Sequence, residues 1–276
     1  MRRALALCLF ACVAFGRFAD AQKLRVSERP ELREHFDRFN ATGTFAVLDA
    51  ARAVMTVYNP TRAAQTFLPA STFKIFNSLV ALEAGLVGLD DTIKWDGVER
   101  GVTSWNQDQR MRDAFQRSTV WFYQELARRV GERRMQSFLE REQYGNANLG
   151  GGIDQFWLTG DLRISAHEQI DFLERLHERK LGFSAQVIDQ VEELLVLERC
   201  PTHILRGKTG WTRQDGNQLG WLVGWVERNG ALYYYAMNLE SPDAQFPMIE
   251  ARPAIVRAIL RELDVLPEPC NQSDSL

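Results

Sequence analysis

The stretch that decides the fold runs Pro69-Ala70-Ser71-Thr72-Phe73-Lys74-Ile75-Phe76-Asn77-Ser78-Leu79-Val80-Ala81-Leu82-Glu83-Ala84-Gly85-Leu86-Val87. From Ile75 onward it is almost entirely apolar or small. Such a stretch reads as a helix hydrophobic nearly all round, and therefore buried. Residues three apart share a helix face, so Ser71 Oγ and the Lys74 amine are expected within hydrogen-bond reach. A lysine at the mouth of a buried helix is unusual. Burial disfavours the ammonium form and leaves an amine able to act as a base or a nucleophile. Read alone, Ser71 can equally be an N-cap and Lys74 a snorkelling surface lysine. Gly88 is expected to close the helix.

Working outward, Gly43 to Asp49 and Val54 to Asn59 read as a hairpin, after a polar and helical lead around Glu28 to Phe39. Asp90 to Val196 is mostly helical. Val120 to Arg129 and Glu132 to Glu140 are amphipathic, and Ser165-Ala166-His167-Glu168 has the form of a capping box. Ser184 starts another helix. Tyr144 to Asp161 is rich in Gly and Asn, holds Trp157, and reads as a long loop of the kind that is often functional. Strands return at Leu205 to Thr212, Leu219 to Glu227 and Ala231 to Glu240, with a turn at Arg228-Asn229-Gly230. Arg252-Pro253 is expected to open a terminal helix. The order implies an α+β fold: an antiparallel sheet built from both chain ends, flanked by helices, with a largely helical second lobe over about 90–196.

Composition narrows the function. A chain of 276 residues with 45% hydrophobic and 25% charged residues suits one globular domain, here 22–276. A net charge of −3 does not favour nucleic acid. No apolar run is long enough to span a membrane. Arg2-Arg3, the apolar stretch Ala4 to Phe15 and Ala19-Asp20-Ala21 have the layout of a secretory signal over 1–21, so export is expected. Cys8 and Cys12 lie in that segment, leaving Cys200 and Cys270, whose pairing stays open. The four histidines are scattered and no CxxC occurs, so no protein metal site is expected.

A second element, Lys208-Thr209-Gly210, lies in a strand near the sheet edge. A helix N-terminus offers free N–H groups, and a strand beside it can supply another, so that two donors converge on a tetrahedral oxyanion. Lys208 and Thr209 would present a cation and a hydroxyl to an anionic substrate group.

These SxxK and KTG elements resemble those of the penicillin-recognising serine enzymes. That group places a Ser-x-Asn element between them; here Ser118-Thr119-Val120 stands in its place. Ser-x-Val, together with Tyr144-Gly145-Asn146 and Trp157-Leu158, is similar to the class D serine β-lactamases, the oxacillinase group, over essentially the whole mature chain. The resemblance implies hydrolysis of β-lactam antibiotics through an acyl-serine, in a bacterial periplasm. It implies Lys74 carboxylated on Nζ by CO₂ as general base, with no other cofactor than CO₂ or bicarbonate. Val120, Phe73 and Trp157 would keep that amine dry, and the Trp157 N–H would donate to the carbamate. Ser118 would relay a proton to the leaving nitrogen. The N–H groups of Ser71 and Trp211 would form the oxyanion hole. Lys208, Thr209, Gly210 and an arginine, Arg252 with Arg257 as rival, would hold the substrate carboxylate. A homodimer is compatible with this reading. Two alternatives remain: a penicillin-binding transpeptidase, and a β-lactam sensor domain that is acylated but not turned over.

Overall fold

The computed structural model describes residues 24–268. The expected signal at 1–21, with Cys8 and Cys12, and also Cys270, lie outside the described residues. Cys200 is disulfide-bonded.

Along the chain, β1 (Arg25–Glu28) precedes α1 (Arg33–Asp37) and the hairpin of β2 (Thr42–Asp49) and β3 (Val54–Tyr58). Next come α2 (Pro60–Ala64), the short β4 (Thr66–Phe67), a 3-10 turn over Ala70–Phe73 and α3 (Lys74–Glu83). Then β5 (Thr92–Ile93) pairs with β6 (Gln109–Arg110), ahead of α4 (Met111–Gln116), α5 (Val120–Val130) and α6 (Glu132–Arg141). A long loop leads to β7 (Ile164–Ser165), which pairs back to β4, and to α7 (Ala166–His177) and α8 (Ala185–Leu194). The chain finishes with β8 (Val196–Arg199), β9 (His203–Gln214), β10 (Asn217–Arg228), β11 (Ala231–Ser241) and α9 (Met248–Glu262).

Among the described residues the main sheet has seven strands in the order β1-β3-β2-β11-β10-β9-β8. All neighbours are antiparallel except β1 and β3. Strands from the two chain ends meet where Asp49 pairs with Tyr233 and Thr42 with Glu240. The period of two then divides the sheet between two cores. Phe45 and Val47 of β2 join Met237, Phe36 of α1 and Ile255 and Ile259 of α9. Ala46 and Leu48 face the other way, into the larger core with Phe76 and Leu79 of α3, Ile170 of α7 and Trp221. Within α3 every residue from Lys74 to Ala81 is buried. Full burial of a side chain such as Leu79 or Phe76 contributes about 1.5–3 kcal/mol, so this helix is held by packing on all sides.

Four local expectations need correction. The buried helix ends at Glu83, with Gly85 at φ 62°, so Gly85 and not Gly88 turns the chain away. The terminal helix begins at Met248, which leaves Pro253 inside it. Pro253 removes the N–H that would bond to the carbonyl of Ile249, a residue 73% exposed, so water can serve there instead. The helical run stops at Leu194, because Val196–Arg199 forms the edge strand β8. Last, β1 lay outside the expected strands, since Arg25-Val26-Ser27-Glu28 is exposed throughout and carries no apolar alternation. The capping box at Ser165 is formed with both of its hydrogen bonds.

Candidate active site

Ser71 lies in the 3-10 turn two residues before the Phe73 cap of α3, and its side chain makes no capping bond. The turn is entered through Ala70 at φ 49°, a left-handed conformation strained for alanine, whose N–H bonds to Trp157 O at 3.0 Å. Behind the turn, Thr72 Oγ1 donates to Pro69 O at 2.7 Å and accepts from Gln169 Nε2 at 2.9 Å. The nucleophile turn is thus tied to α7 by buried polar bonds.

Lys74 is wholly buried and its Nζ lies 2.6 Å from Ser71 Oγ. No other hydrogen-bond partner of Nζ is found among the described residues. The Tyr123 ring lies 5.4 Å from it. Burial alone pulls the amine down to about 7. Trp157 is also wholly buried, stacks on Phe73 at 5.3 Å, and has an indole N–H without a partner among the described residues. An unpaired buried donor is costly, roughly 1–3 kcal/mol, and marks a place where an acceptor belongs.

Ser118 occupies the bend between α4 and α5 at φ 55°, in the left-handed region. Lys208 Nζ donates to Ser118 Oγ at 3.0 Å, to Thr209 O at 3.0 Å and to Thr209 Oγ1 at 3.4 Å. Burial, then the charges of Lys74 and Arg252, push Lys208 well below the usual range of a lysine. Val120, first residue of α5, is half-buried.

The strand that carries Lys208 is fitted closely against the nucleophile turn. A Cβ on Gly210 would lie 2.9 Å from Pro69 O and 3.2 Å from Thr72 Cγ2, so only glycine permits this approach. Gly207 N–H bonds to Leu195 O on the outer side of β9. By the alternation of an antiparallel strand, the N–H groups of Thr209 and Trp211 face the same side, past the last residue that β8 covers. That leaves the Trp211 N–H on an unpaired strand edge, where an oxyanion donor is expected. The Trp211 ring itself is 45% exposed and donates to Gln218 Oε1 at 2.7 Å.

Arg252 is buried, with Nε donating to Met248 O and Nη1 to Gly210 O. Its guanidinium lies 6.0 Å from the Trp211 ring. Burial draws it down to about 10. Arg257 pairs instead with Glu198 at 2.6 Å, so of the two candidates only Arg252 touches the KTG strand. Among the described residues no carboxylate pairs with Lys74, Lys208 or Arg252. The pocket is an electropositive one, suited to an anion.

Asn146 holds the base of the loop, through Arg163 N at 2.9 Å and Asp161 O at 2.9 Å, and so organises structure. Sequence reasoning missed Gln169, Thr212 and Gln214. Thr212 Oγ1 donates to Leu158 O at 2.7 Å, and Gln214 Oε1 accepts from Leu68 N at 2.9 Å. The sequence shows only that polar side chains continue past the KTG element at Thr212 and Gln214, and nothing local marks Gln169, whose partner lies 97 residues away.

Comparison with known proteins agrees with this geometry. Residues 40–261 match the penicillin binding protein transpeptidase domain. The β-lactamase OXA-2 of Salmonella typhimurium is 40% identical over 271 residues, 97% of this chain and 96% of that protein. The solved class D β-lactamase YbXI from Nostoc is 41% identical with a TM-score of 0.82, over 86% of this chain and all of the other. The C-terminal domain of the BlaR penicillin-receptor of Bacillus licheniformis is 30% identical with a TM-score of 0.84, over 88% of this chain and 98% of that domain.

Proposed function

We propose that this chain, which belongs to the class D serine β-lactamase family, hydrolyses β-lactams through an acyl-serine, with the residues above in the following roles. The observation that carries the reading is the fully buried Lys74 amine 2.6 Å from Ser71 Oγ. Ser71 Oγ is the nucleophile, and its proton leaves toward Lys74, the group bonded to it. The Ser71 and Trp211 N–H groups receive the developing oxyanion. As the lactam C–N bond breaks, Ser118, held by Lys208, passes a proton to the leaving nitrogen. Lys208, Thr209 and Arg252 hold the substrate carboxylate beside Gly210, where the closely packed strand positions it. Water then cleaves the ester and releases the ring-opened acid.

The residues around Lys74 fit a carboxylated lysine. An amine near 7 is substantially unprotonated at neutral pH, as CO₂ addition requires, and the orphaned Trp157 N–H is a donor in search of an anion. Carboxylation would supply at Nζ an anionic oxygen base for proton removal in both half-reactions. Val120, with an apolar side chain where a polar one would solvate the amine, is consistent with this. CO₂ or bicarbonate is then the one small molecule needed besides substrate. The chain would act as a single catalytic domain over 22–276, exported to the periplasm behind the signal at 1–21. Among the described residues no helix is long and apolar enough to cross a membrane.

The likeness to the BlaR penicillin-receptor domain supports a second reading, a sensor that is acylated once. A chromogenic cephalosporin mixed with the purified chain, with and without bicarbonate, separates the two. Sustained turnover that bicarbonate stimulates is the expected result. A single stoichiometric burst supports the sensor, and no reaction rejects both.

A further inference from the structure

Among the described residues the outer edge of β9 has no strand neighbour past Gly207, yet it is not idle. Two of its side chains reach across to the two segments that make up the nucleophile pocket. Gln214 Oε1 takes the Leu68 N–H, three residues before Ser71, at 2.9 Å. Thr212 Oγ1 donates to Leu158 O, one residue after Trp157, at 2.7 Å. At residues 157 and 158 two hydrogen bonds arrive from outside the loop, this one and Ala70 N–H to Trp157 O at 3.0 Å. Trp157 is therefore gripped between the nucleophile turn and the KTG strand. Its indole, packed against Phe73 and Phe156 and with no partner for its N–H among the described residues, has its backbone fixed from both sides.

We infer that Thr212 is a positioning residue, which through Leu158 holds the Trp157 indole N–H ready for the anion formed at Lys74 and so sets how readily that anion is retained. The inference rests on the carboxylated-lysine reading above. Thr212 acts through the Leu158 carbonyl and has no hydrogen bond to Lys74 among the described residues. It links the strand that offers the oxyanion donor to the loop that offers the carbamate donor, so that both are set by one strand. Removing the hydroxyl releases Leu158 O and lets the Trp157 backbone drift, at the expense of a hydrogen bond to whatever occupies Nζ.

The test is carbon NMR of the purified chain titrated with ¹³C-bicarbonate, which reads the lysine carbamate without any turnover. Thr212→Val removes the donor at nearly constant volume and is expected to raise the bicarbonate concentration for half-occupancy about five-fold, the equivalent of one typical hydrogen bond. Thr212→Ser keeps the hydroxyl and is expected to restore the wild-type value within about two-fold. Thr212→Ala serves as a second deletion should the valine variant fold poorly, with the same expected rise. Gln214→Met, which frees Leu68, is expected to leave half-occupancy unchanged and to slow acylation, measured by the burst rate. A wild-type carbamate signal with unchanged half-occupancy in both Val and Ala variants overturns the inference alone. A Ser variant as impaired as Val also overturns it, because packing and not the hydroxyl would then be responsible. Absence of any carbamate signal in the wild-type protein at saturating bicarbonate overturns the carboxylated-lysine reading and this inference with it.

Discussion

Two buried lysines stand in one pocket and are treated differently by it. Lys74 is 0% and Lys208 4% exposed, so both are taken out of water. Lys208 meets three oxygen acceptors, the number of protons an ammonium carries, and lies on a strand beside Arg252. A bound carboxylate would favour its charged form and offset the burial that opposes it. Lys74 meets one hydroxyl and an aromatic ring, while the Trp157 indole N–H, on a ring stacked against Phe73, has no partner among the described residues. An ammonium at Lys74 finds one acceptor and a ring face, against three oxygens at Lys208. Depth of burial alone does not assign a role to a lysine. The count of acceptors and donors around its nitrogen does.

Substitutions that erase this difference should act in a graded way. The largest effect is expected from Lys74→Ala, which removes the acceptor of the Ser71 proton. Steady-state hydrolysis should fall by about 10³-fold or more, with any remaining reaction seen as slow accumulation of acyl-enzyme by mass spectrometry. Undiminished turnover would show that the buried amine is not the base. Lys208→Met should come next, lowering kcat/KM by about 10²-fold for carboxylate-bearing substrates and by much less for a carboxylate ester. Equal losses on acid and ester would mean that Lys208 acts through Ser118 and not through the anion.

Smaller effects sharpen the account of Lys74. Trp157→Phe keeps a ring against Phe73 but deletes the N–H, and should raise the bicarbonate needed for half-maximal rate by about ten-fold. No change would remove Trp157 from the site. The smallest expected effect concerns stability. Burial pulls the Lys74 amine down to about 7 in the fold, from the ordinary lysine value of 10.5. Between those values the unfolded chain binds more protons, so stability rises with pH across that window, and below about 7 the full penalty persists. Without added bicarbonate, Lys74→Met should therefore be more stable than wild type at pH 6, by about 1–2 kcal/mol in urea unfolding, with the advantage shrinking toward pH 10. The same titration predicts that activity in CO₂-poor buffer falls as the pH drops through about 7, and recovers when it is raised.

Much of this was legible in the residues. The spacing of Ser71 and Lys74 on an apolar helix foretold both their contact and the burial of the amine. The β2–β3 hairpin and the β9 to β11 meander showed themselves through β-branched and aromatic residues closed by Asn229-Gly230. What escaped notice had little apolar signal. The strand β1 is polar and exposed, and β8 follows directly on a helix whose leucines continue into it. Pro253 misled because a proline usually marks a helix start, yet here it sits beside an exposed carbonyl that tolerates the missing donor. Thr212 and Gln169 could not be singled out, because their importance lies in partners 54 and 97 residues away. Arg252 and Arg257 are alike in sequence, and only the path of α9 sends one to Gly210 and the other to Glu198.

The joining of β2 to β11 has a consequence for how the molecule comes into being. These central strands are roughly 190 residues apart in the chain, so their closure must wait until most of the polypeptide is available. A growing chain cannot complete the sheet from its amino-terminal half, and before residue 241 arrives the faces of β2 and β3 stay open to solvent or to a chaperone. Such late closure suits the export proposed above, since a chain whose sheet is incomplete stays unfolded until its carboxy-terminal strands follow.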